Sequence, residues 1–239
     1  MTTPKTVLLT WPKLIAFGFV VVLLGALGGW LASRATMGKV VHNYVLEHPE
    51  ILPLAMENLR KNDDAKQLAG IRGDVQTPFP GAILGNPNGK IVVVEFADYA
   101  CGYCKRSVAD LDALIASNPE IKVVMRELPI LSPQSADAAK MALAAGDQGK
   151  YAGFHKAMYE IGKPDAQTID AAAKAAGVDL DRARKFIANP ELEAEIERNM
   201  AFARKLGFQG TPSWVIGDRL LSGAVGKDVL AKAIAEAKS

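Results

Sequence analysis

Residues 92–105 read VVVEFADYACGYCK and contain both cysteines of the 239-residue chain. β-Branched residues lead into the pair, and helical periodicity follows it from Lys105 to Ser117, so we expect Cys101 just before a helix and Cys104 in its first turn. Free backbone N–H groups and the helix dipole at such a terminus favour negative charge on the first sulfur. Because a thiolate is the nucleophile of disulfide exchange, the spacing predicts a redox-active dithiol.

Two other uses of a Cys-x-x-Cys pair are less favoured. A structural zinc site needs four ligands, but the chain has no second cysteine pair, and His42, His48 and His155 lie far from it in sequence. A structural disulfide that closes so short a loop removes little conformational entropy from the unfolded chain, so it would stabilise the fold only slightly. We therefore predict no metal site and no cofactor apart from the redox-active disulfide Cys101–Cys104 itself.

The composition narrows the function classes further. The formal net charge is only +2, and we find no Lys/Arg stripe with interleaved aromatic residues, so no nucleic-acid partner is predicted. The sequence also lacks a Gly-rich phosphate loop and a Ser/His/Asp motif. The predicted chemistry therefore lies in the sulfurs.

The N-terminal segment sets the expected compartment. Residues 14–31 are eighteen apolar or small residues without charge, preceded by two lysines and followed by Arg34. This run exceeds the h-region of a signal peptide, about 7 to 15 residues, and approaches the roughly 20 that span a bilayer. We predict that residues 1–35 are an inner-membrane anchor that places the rest of the chain in the periplasm, where disulfides form. The alternative is that this segment is a signal peptide that is cleaved near Ala35.

Residues 36–76 show a helical pattern without a domain-sized core. Their apolar residues fall into two stripes, Val41, Tyr44, Val45 and Leu52, Met56, Leu59. His48-Pro49 is expected to separate two helices, and Pro53 should kink the second one unless that helix begins near it. We predict an oligomerisation stalk; the alternative is that the stripe folds back on the main domain. Residues 77–82 read as an extended linker.

The rest of the chain predicts an α/β fold. Strands are expected at Ile91 to Phe96 and Ile121 to Leu128, on either side of the helix after the cysteines, which makes a βαβ unit. Residues 129–206 are rich in alanine and divide into about four or five helices. Strands at Ser213 to Ile216 and Arg219 to Ser222 precede a closing helix. This order is that of a thioredoxin fold over residues 83–128 and 207–239, split by an inserted helical domain.

Glu95 interrupts the apolar run of the first strand. Spacing alone leaves two positions open for this carboxyl group. It lies either at a strand edge facing solvent, or buried beneath the cysteines, where it could take or give a proton.

Three features together resemble the DsbA-like branch of the thioredoxin superfamily, over residues 83–238. They are the Cys-x-x-Cys pair at a strand-to-helix junction, the helical insertion, and Gly210-Thr211-Pro212 entering a strand. The resemblance implies a cis peptide bond at Thr211–Pro212 that lies against the dithiol and positions substrate. It also implies that Cys101 is the exposed attacking thiolate and Cys104 the buried resolving thiol. Redox tuning would come from Gly102-Tyr103, and Glu95 would be the buried acid that assists proton transfer at Cys104.

A narrower resemblance lies in residues 44–52, YVLEHPEIL, and in residues 98–105. Both are similar to the suppressor-of-copper-sensitivity C-type (ScsC-like) disulfide isomerases. This similarity implies a homo-oligomer, with a trimer suspected, through residues 36–70. It implies exported protein substrates with cysteines, a membrane redox partner, and a function as disulfide isomerase or reductase. A DsbA-type dithiol oxidase and a copper(I)-handling periplasmic protein are the alternatives.

Overall fold

The computed structural model describes residues 11–237, without the side chains of residues 13, 31, 32 and 34–36. The chain forms two compact units, which meet in sequence between Leu59 and Arg60. The helices and strands are, in chain order, α1 (Trp11–Glu47), α2 (Ile51–Ala69), α3 (Arg72–Gln76), β1 (Ile83–Gly85), β2 (Ile91–Ala97), α4 (Gly102–Ser117), β3 (Ile121–Glu127), α5 (Pro133–Asp147), α6 (Tyr151–Ile161), α7 (Ala166–Ala175), α8 (Leu180–Ile187), α9 (Pro190–Lys205), β4 (Ser213–Ile216), β5 (Arg219–Ser222) and α10 (Lys227–Glu236).

The first unit is helical. His48-Pro49 separates α1 from α2, as the sequence predicts. Pro53 lies in the first turn of α2, where the backbone N–H groups have no partner within the helix, so the proline costs no helical hydrogen bond.

The apolar stretch at residues 14–31 does not form a helix of its own, because α1 continues to Glu47. Among the described residues, no helix combines the length and the hydropathy required to cross a membrane. The membrane anchor over residues 1–35 stays a prediction. Lys5 and the side chain of Ala35, which entered the prediction of orientation and cleavage, lie outside the described residues.

The second unit is built on a five-stranded mixed sheet in the order β1-β3-β2-β4-β5. The central pair β2 and β3 is parallel, and the other neighbouring strands are antiparallel. The register pairs Phe96 with Ser213, so the start of β4 lies beside the end of β2. This pairing brings the segment before β4 to the edge of the sheet from which the cysteine loop emerges.

Most predicted elements of this unit are confirmed. The strands β4 and β5 have the predicted bounds, and the insertion contains the five helices α5 to α9. Two short elements were missed, the helix α3 and the edge strand β1, which pairs antiparallel with β3. With five residues in α3 and three in β1, neither element is long enough to show a hydrophobic period of its own. Their structure therefore depends on the sheet against which they lie.

The two faces of the sheet carry separate cores. Ala97 and Met125 belong to the core that also contains Cys101 and Cys104. Ala97 and Met125 have odd residue numbers, whereas apolar residues with even numbers in β2 and β3, such as Phe96, belong to the core on the other face. Because side chains alternate along a strand, the parity of each residue decides whether it can reach the cysteines.

The predicted stalk of residues 36–76 is wrong at its C-terminal end. Leu68, Ile71 and Val75 are buried and form part of the core on the second face of the sheet. The carboxyl group of Asp64 accepts a hydrogen bond from the backbone N–H of Leu220 at 3.0 Å. This contact gives a partner to a backbone group of β5, the last strand of the sheet. Residues 60–76 therefore belong to the α/β unit, because their apolar side chains cover one sheet face.

Candidate active site

The dithiol lies at the start of α4, as the sequence predicts. Cys101 is the residue before the first helical residue, with φ −82° and ψ 114°, and Cys104 lies in the first turn. Both are free thiols in this structure. The unpaired N–H groups at this terminus give the dithiol an electropositive backbone environment.

Cys101 is more covered than the predicted exposed thiolate. The residue is 7 % exposed, against 1 % for Cys104. Its Sγ lies 3.2 Å from the carbonyl oxygen of Thr211 as a hydrogen-bond donor, so the segment before β4 covers it. The open side is that of Gly102 and Tyr103: a Cβ added at Gly102 would meet no atom within 4 Å, and Tyr103 is 58 % exposed.

The Thr211–Pro212 peptide bond is cis. The fold brings Thr211 to Cys101 across 110 residues of sequence. An open cleft of about 490 Å³ runs beside this contact and is lined by Tyr103, Arg106 and Thr211 among others. The guanidinium of Arg106 lies 4.3 Å from the centroid of the Tyr103 ring. The cleft can receive an extended chain segment next to Cys101.

Glu95 is buried rather than at a solvent-facing edge. It is 3 % exposed, because β2 is the third of five strands in the sheet. Burial, and to a smaller extent the charges of Glu127 and Cys101, together raise the pKa of its carboxyl to about 8. Burial also raises the pKa of the Cys104 thiol, and the Glu95 charge adds to that effect. Glu95 and Cys104 are therefore two weak acids that can exchange a proton.

Replacing Glu95 with glutamine is expected to stabilise the reduced protein at alkaline pH. The folded pKa of about 8 lies above the ordinary value of 4.5, so the folded state holds a proton that the unfolded state has lost. The wild-type protein therefore loses stability as the pH rises from about 4.5 to about 8, by up to roughly 1.4 kcal/mol per pH unit. Glu95→Gln removes this loss. The free energy of unfolding of the variant should therefore equal that of the wild type at pH 4 and exceed it most above pH 8.

Urea unfolding of the reduced proteins at several pH values measures this difference. Glu120→Gln is the matched control, since Glu120 is exposed. An equal stability difference between Glu95→Gln and the wild type at pH 4 and pH 9 would contradict the expectation.

Asp98 lies in the motif around the cysteines, but no role was predicted for it. Asp98 is 1 % exposed. Its Oδ1 accepts a hydrogen bond from Ala100 N–H at 2.7 Å, and its Oδ2 accepts from Ile130 and Leu131 N–H at 2.9 Å each. The carboxyl group thus holds the cysteine loop against the loop that follows β3.

A second buried carboxyl, Glu127, was missed. It is 2 % exposed, and its Oε1 accepts hydrogen bonds from the hydroxyls of Tyr151 at 2.5 Å and Tyr99 at 3.4 Å. Burial raises its pKa to about 8, although both tyrosine hydrogen bonds act in the opposite direction. The Tyr99 hydroxyl also lies 3.3 Å from Nδ1 of His155, and burial lowers the pKa of this histidine to about 4. The available signal was a glutamate near the end of the second predicted strand, Ile121 to Leu128.

Two models of known protein families match parts of the chain. Residues 92–235 match the model of the DSBA-like thioredoxin domain. Residues 34–66 match the model described as the copper resistance protein ScsC N-terminal domain.

Solved structures with the same fold include three bacterial proteins. A thioredoxin-like oxidoreductase from Silicibacter pomeroyi is 42 % identical, with a TM-score of 0.63 over 65 % of this chain and 91 % of that one. The catalytic domain of Proteus mirabilis ScsC is 28 % identical, with a TM-score of 0.65 over 72 % of this chain and 97 % of that one. A periplasmic thioredoxin-like protein from Salmonella enterica serovar Typhimurium is 26 % identical, with a TM-score of 0.63 over 70 % and 95 %.

The curated relatives that the chain matches include Na(+)/H(+) antiporters of the NhaA type from Salinispora arenicola and Salinispora tropica, and the chain spans 24 % of the length of each. The match of the domain model covers more than half of the chain and includes the cysteines, the insertion and the cis proline. The chain therefore belongs to the family of DSBA-like thioredoxin domains and also carries a segment of the ScsC N-terminal type.

Proposed function

We propose that this protein is a thiol-disulfide oxidoreductase of the DsbA and ScsC type that acts on protein disulfides. One observation carries the proposal: Cys101 occupies the position before the first residue of α4, and its Sγ lies 3.2 Å from the carbonyl oxygen of Thr211, which precedes the cis Pro212. The cleft beside this contact leaves room for a substrate chain, and the buried Glu95 interacts electrostatically with Cys101. The family membership supports the same chemistry.

The reaction begins when the Cys101 thiolate attacks a substrate disulfide. A bond forms between Cys101 Sγ and one substrate sulfur, the substrate S–S bond breaks, and the other substrate sulfur leaves as a thiolate. That thiolate can attack elsewhere and reshuffle the substrate, or Cys104 can attack the mixed disulfide. In the second case the Cys101–Cys104 disulfide forms and the substrate leaves reduced.

Residues around the dithiol have distinct roles in this scheme. Cys104 must lose its proton before it attacks, and Glu95 accepts that proton when its carboxyl is ionised. Thr211-Pro212 positions the substrate chain beside Cys101. Gly102-Tyr103 tunes the redox poise through its position between the two sulfurs.

We infer that the direction is isomerisation or reduction rather than oxidation. The support is the N-terminal helical segment, which matches the ScsC type and carries exposed apolar side chains, with Tyr44, Leu52, Met56 and Leu59 each more than half exposed. Such a run of exposed apolar residues is typical of a surface that another copy covers. A homo-oligomer, with a trimer expected, would place several dithiols around one substrate.

The proposed setting is the periplasm, supported by the similarity to a periplasmic protein of Salmonella enterica. The proposed partners are exported proteins with cysteines and a membrane redox protein. An isomerase needs this redox protein to keep Cys101 and Cys104 reduced.

Charged substitutions in the apolar stripe test the isomerase assignment. Met56→Asp together with Leu59→Asp is expected to lower the molecular mass in solution to that of one chain and to reduce the refolding of a scrambled-disulfide protein at least several-fold. Oxidation of a dithiol peptide should stay unchanged, since the dithiol itself is intact. Light scattering and a refolding assay in glutathione buffer measure the two effects.

The matched control is Asn58→Asp with Asn62→Asp, which adds the same charge to the same helix at exposed polar positions. Full refolding activity in the monomeric stripe variant would contradict the oligomer argument. If the wild type oxidises the dithiol peptide but does not refold the scrambled protein, the oxidase reading replaces the isomerase reading.

Copper(I) handling is a second candidate, favoured by the description of the N-terminal family model as a copper resistance protein. Two thiolates suit a soft ion such as Cu(I). Among residues 11–237, no group of three or more His, Cys, Asp or Glu side chains could hold a metal ion. The proposed copper ligands are Cys101 and Cys104, and a Cu(I) competition titration with the double Cys→Ser variant tests them.

A further inference from the structure

Glu127 lies on the same face of the sheet as the dithiol. In the parallel pair β2 and β3, Glu95 is paired with Met125 and Ala97 with Glu127. Partners in register share a face, and Ala97 and Met125 belong to the core that contains Cys101. The two carboxyl groups therefore occupy diagonal positions on neighbouring strands, beneath the cysteines.

We propose that Glu127 is a positioning residue for the proton transfer at Cys104 and that it acts through Glu95. This inference rests on the proposed function, because it concerns the proton step of thiol-disulfide exchange. Two buried carboxyl groups this close cannot both ionise at little cost. The protein must therefore keep a proton on one of them, and the contacts of each carboxyl decide which one.

The tyrosine hydroxyls favour the charge on Glu127. Tyr151 and Tyr99 both donate to its Oε1, and hydrogen bonds to a carboxylate stabilise the ionised form. The first proton to leave the pair therefore leaves Glu127. The remaining proton stays on Glu95, the carboxyl that interacts electrostatically with both Cys101 and Cys104.

A proton held on Glu95 has a defined use. When a substrate thiolate attacks Cys101 of the active-site disulfide, the Cys101–Cys104 bond breaks and Cys104 leaves as a thiolate, which takes the proton from Glu95. That transfer leaves Glu95 ionised beside the charged Glu127, a state of high electrostatic cost that lasts only until the reverse step, in which Glu95 takes the proton back from Cys104 and Cys104 attacks the mixed disulfide. The negative charge on Glu127 makes Glu95 the better proton acceptor in that reverse step.

Other titratable groups face the pair from three directions. His155 is buried beside Tyr99, and its lowered pKa keeps it neutral at ordinary pH. The groups are Asp98 and Tyr99 from the loop after β2, Cys101 and Cys104 from the start of α4, and Tyr151, His155 and Tyr159 from α6. Of the groups that can be charged at neutral pH, Glu127 has the largest electrostatic effect on Glu95.

The test is a ¹³C NMR titration of the glutamate side-chain carboxyls in the full, reduced protein, in which Glu95→Gln identifies the signal of Glu95. Glu127→Gln keeps the shape and the acceptor oxygen but removes the charge. We expect it to lower the titration midpoint of Glu95 by about one pH unit, the size expected for two charges on diagonal strand positions at an effective dielectric constant of about 20. The pH profile of mixed-disulfide resolution should shift in the same direction.

Glu120→Gln is the control and should leave the midpoint of Glu95 where it is. Tyr151→Phe is the second variant, to be used if Glu127→Gln does not fold, because it keeps both carboxyl groups. Loss of the Tyr151 hydroxyl, which donates to Glu127, should raise the titration midpoint of Glu127. An unchanged Glu95 midpoint in Glu127→Gln, or an unchanged Glu127 midpoint in Tyr151→Phe, overturns the inference. Because the titration needs no substrate, a shifted midpoint in a protein without exchange activity would refute the proposed function and leave the coupling of the two carboxyls standing.

Discussion

Cys101→Ser is expected to reduce thiol-disulfide exchange to the rate of the buffer alone. A hydroxyl does not replace a thiolate as the nucleophile toward a disulfide sulfur, and the remaining thiol, Cys104, is 1 % exposed. Burial and the charge of Glu95 also raise the pKa of the Cys104 thiol, so little of it is thiolate at neutral pH. Reduction of a model protein disulfide, followed by mass spectrometry, measures the loss.

Cys104→Ser is the partner experiment, because it separates the first attack from the resolution. Cys101 keeps its place at the start of α4, so it should still attack the substrate and accumulate as a mixed disulfide. A stable covalent adduct with Cys104→Ser and none with Cys101→Ser is the expected pattern. The reverse pattern would show that the roles of the two cysteines are exchanged. Far-UV circular dichroism should show that both variants are folded.

Arg126→Met is expected to lower the free energy of unfolding by about 3 kcal/mol. The guanidinium donates to the carbonyl oxygens of Asp74, Val75 and Thr77 and pairs with Glu195 at 2.7 Å. The side chains of Arg126 and Glu195 are only 2 % and 3 % exposed. The variant would remove the guanidinium donor from these carbonyls and leave a buried carboxylate with only the exposed Arg198 as partner.

This arginine connects β3 to α3, to the residue after α3 and to α9, so its loss should destabilise the whole α/β unit. Urea unfolding at neutral pH measures the change. Arg184→Met is the matched control: its ion pair with Asp170 is exposed, at 59 % and 37 %, so the loss there should stay below about 1 kcal/mol. Equal losses in the two variants would show that the buried contacts of Arg126 contribute no more than a surface pair.

Much of the α/β unit could be predicted from the sequence. The bounds of β4 and β5 and the start of α4 at the cysteines follow from runs of β-branched residues, turn residues and helical periodicity. These signals are local, so a single sequence is enough to read them. The missed elements, β1 and α3, are short and have little pattern of their own.

The N-terminal half of the chain shows the limit of such patterns. Apolar residues at helical spacing predicted a stalk up to residue 76, but spacing does not say which surface will cover the stripe. In the structure, Leu68, Ile71 and Val75 are covered by the second face of the sheet, whereas Leu52, Met56 and Leu59 are exposed. The same pattern along one segment therefore has two different outcomes.

The sequence by itself determined the chemistry of this protein's candidate site: two cysteines three residues apart at a strand-to-helix junction, with a glutamate six residues before the first. Only the tertiary structure decided the surroundings of that dithiol. It covers Cys101 with the carbonyl of Thr211, buries Glu95 under it, and places Glu127 on the same face with its tyrosines. The physical reason is that spacing along one segment sets local geometry, whereas burial and hydrogen bonding depend on residues that meet only when distant segments pack together.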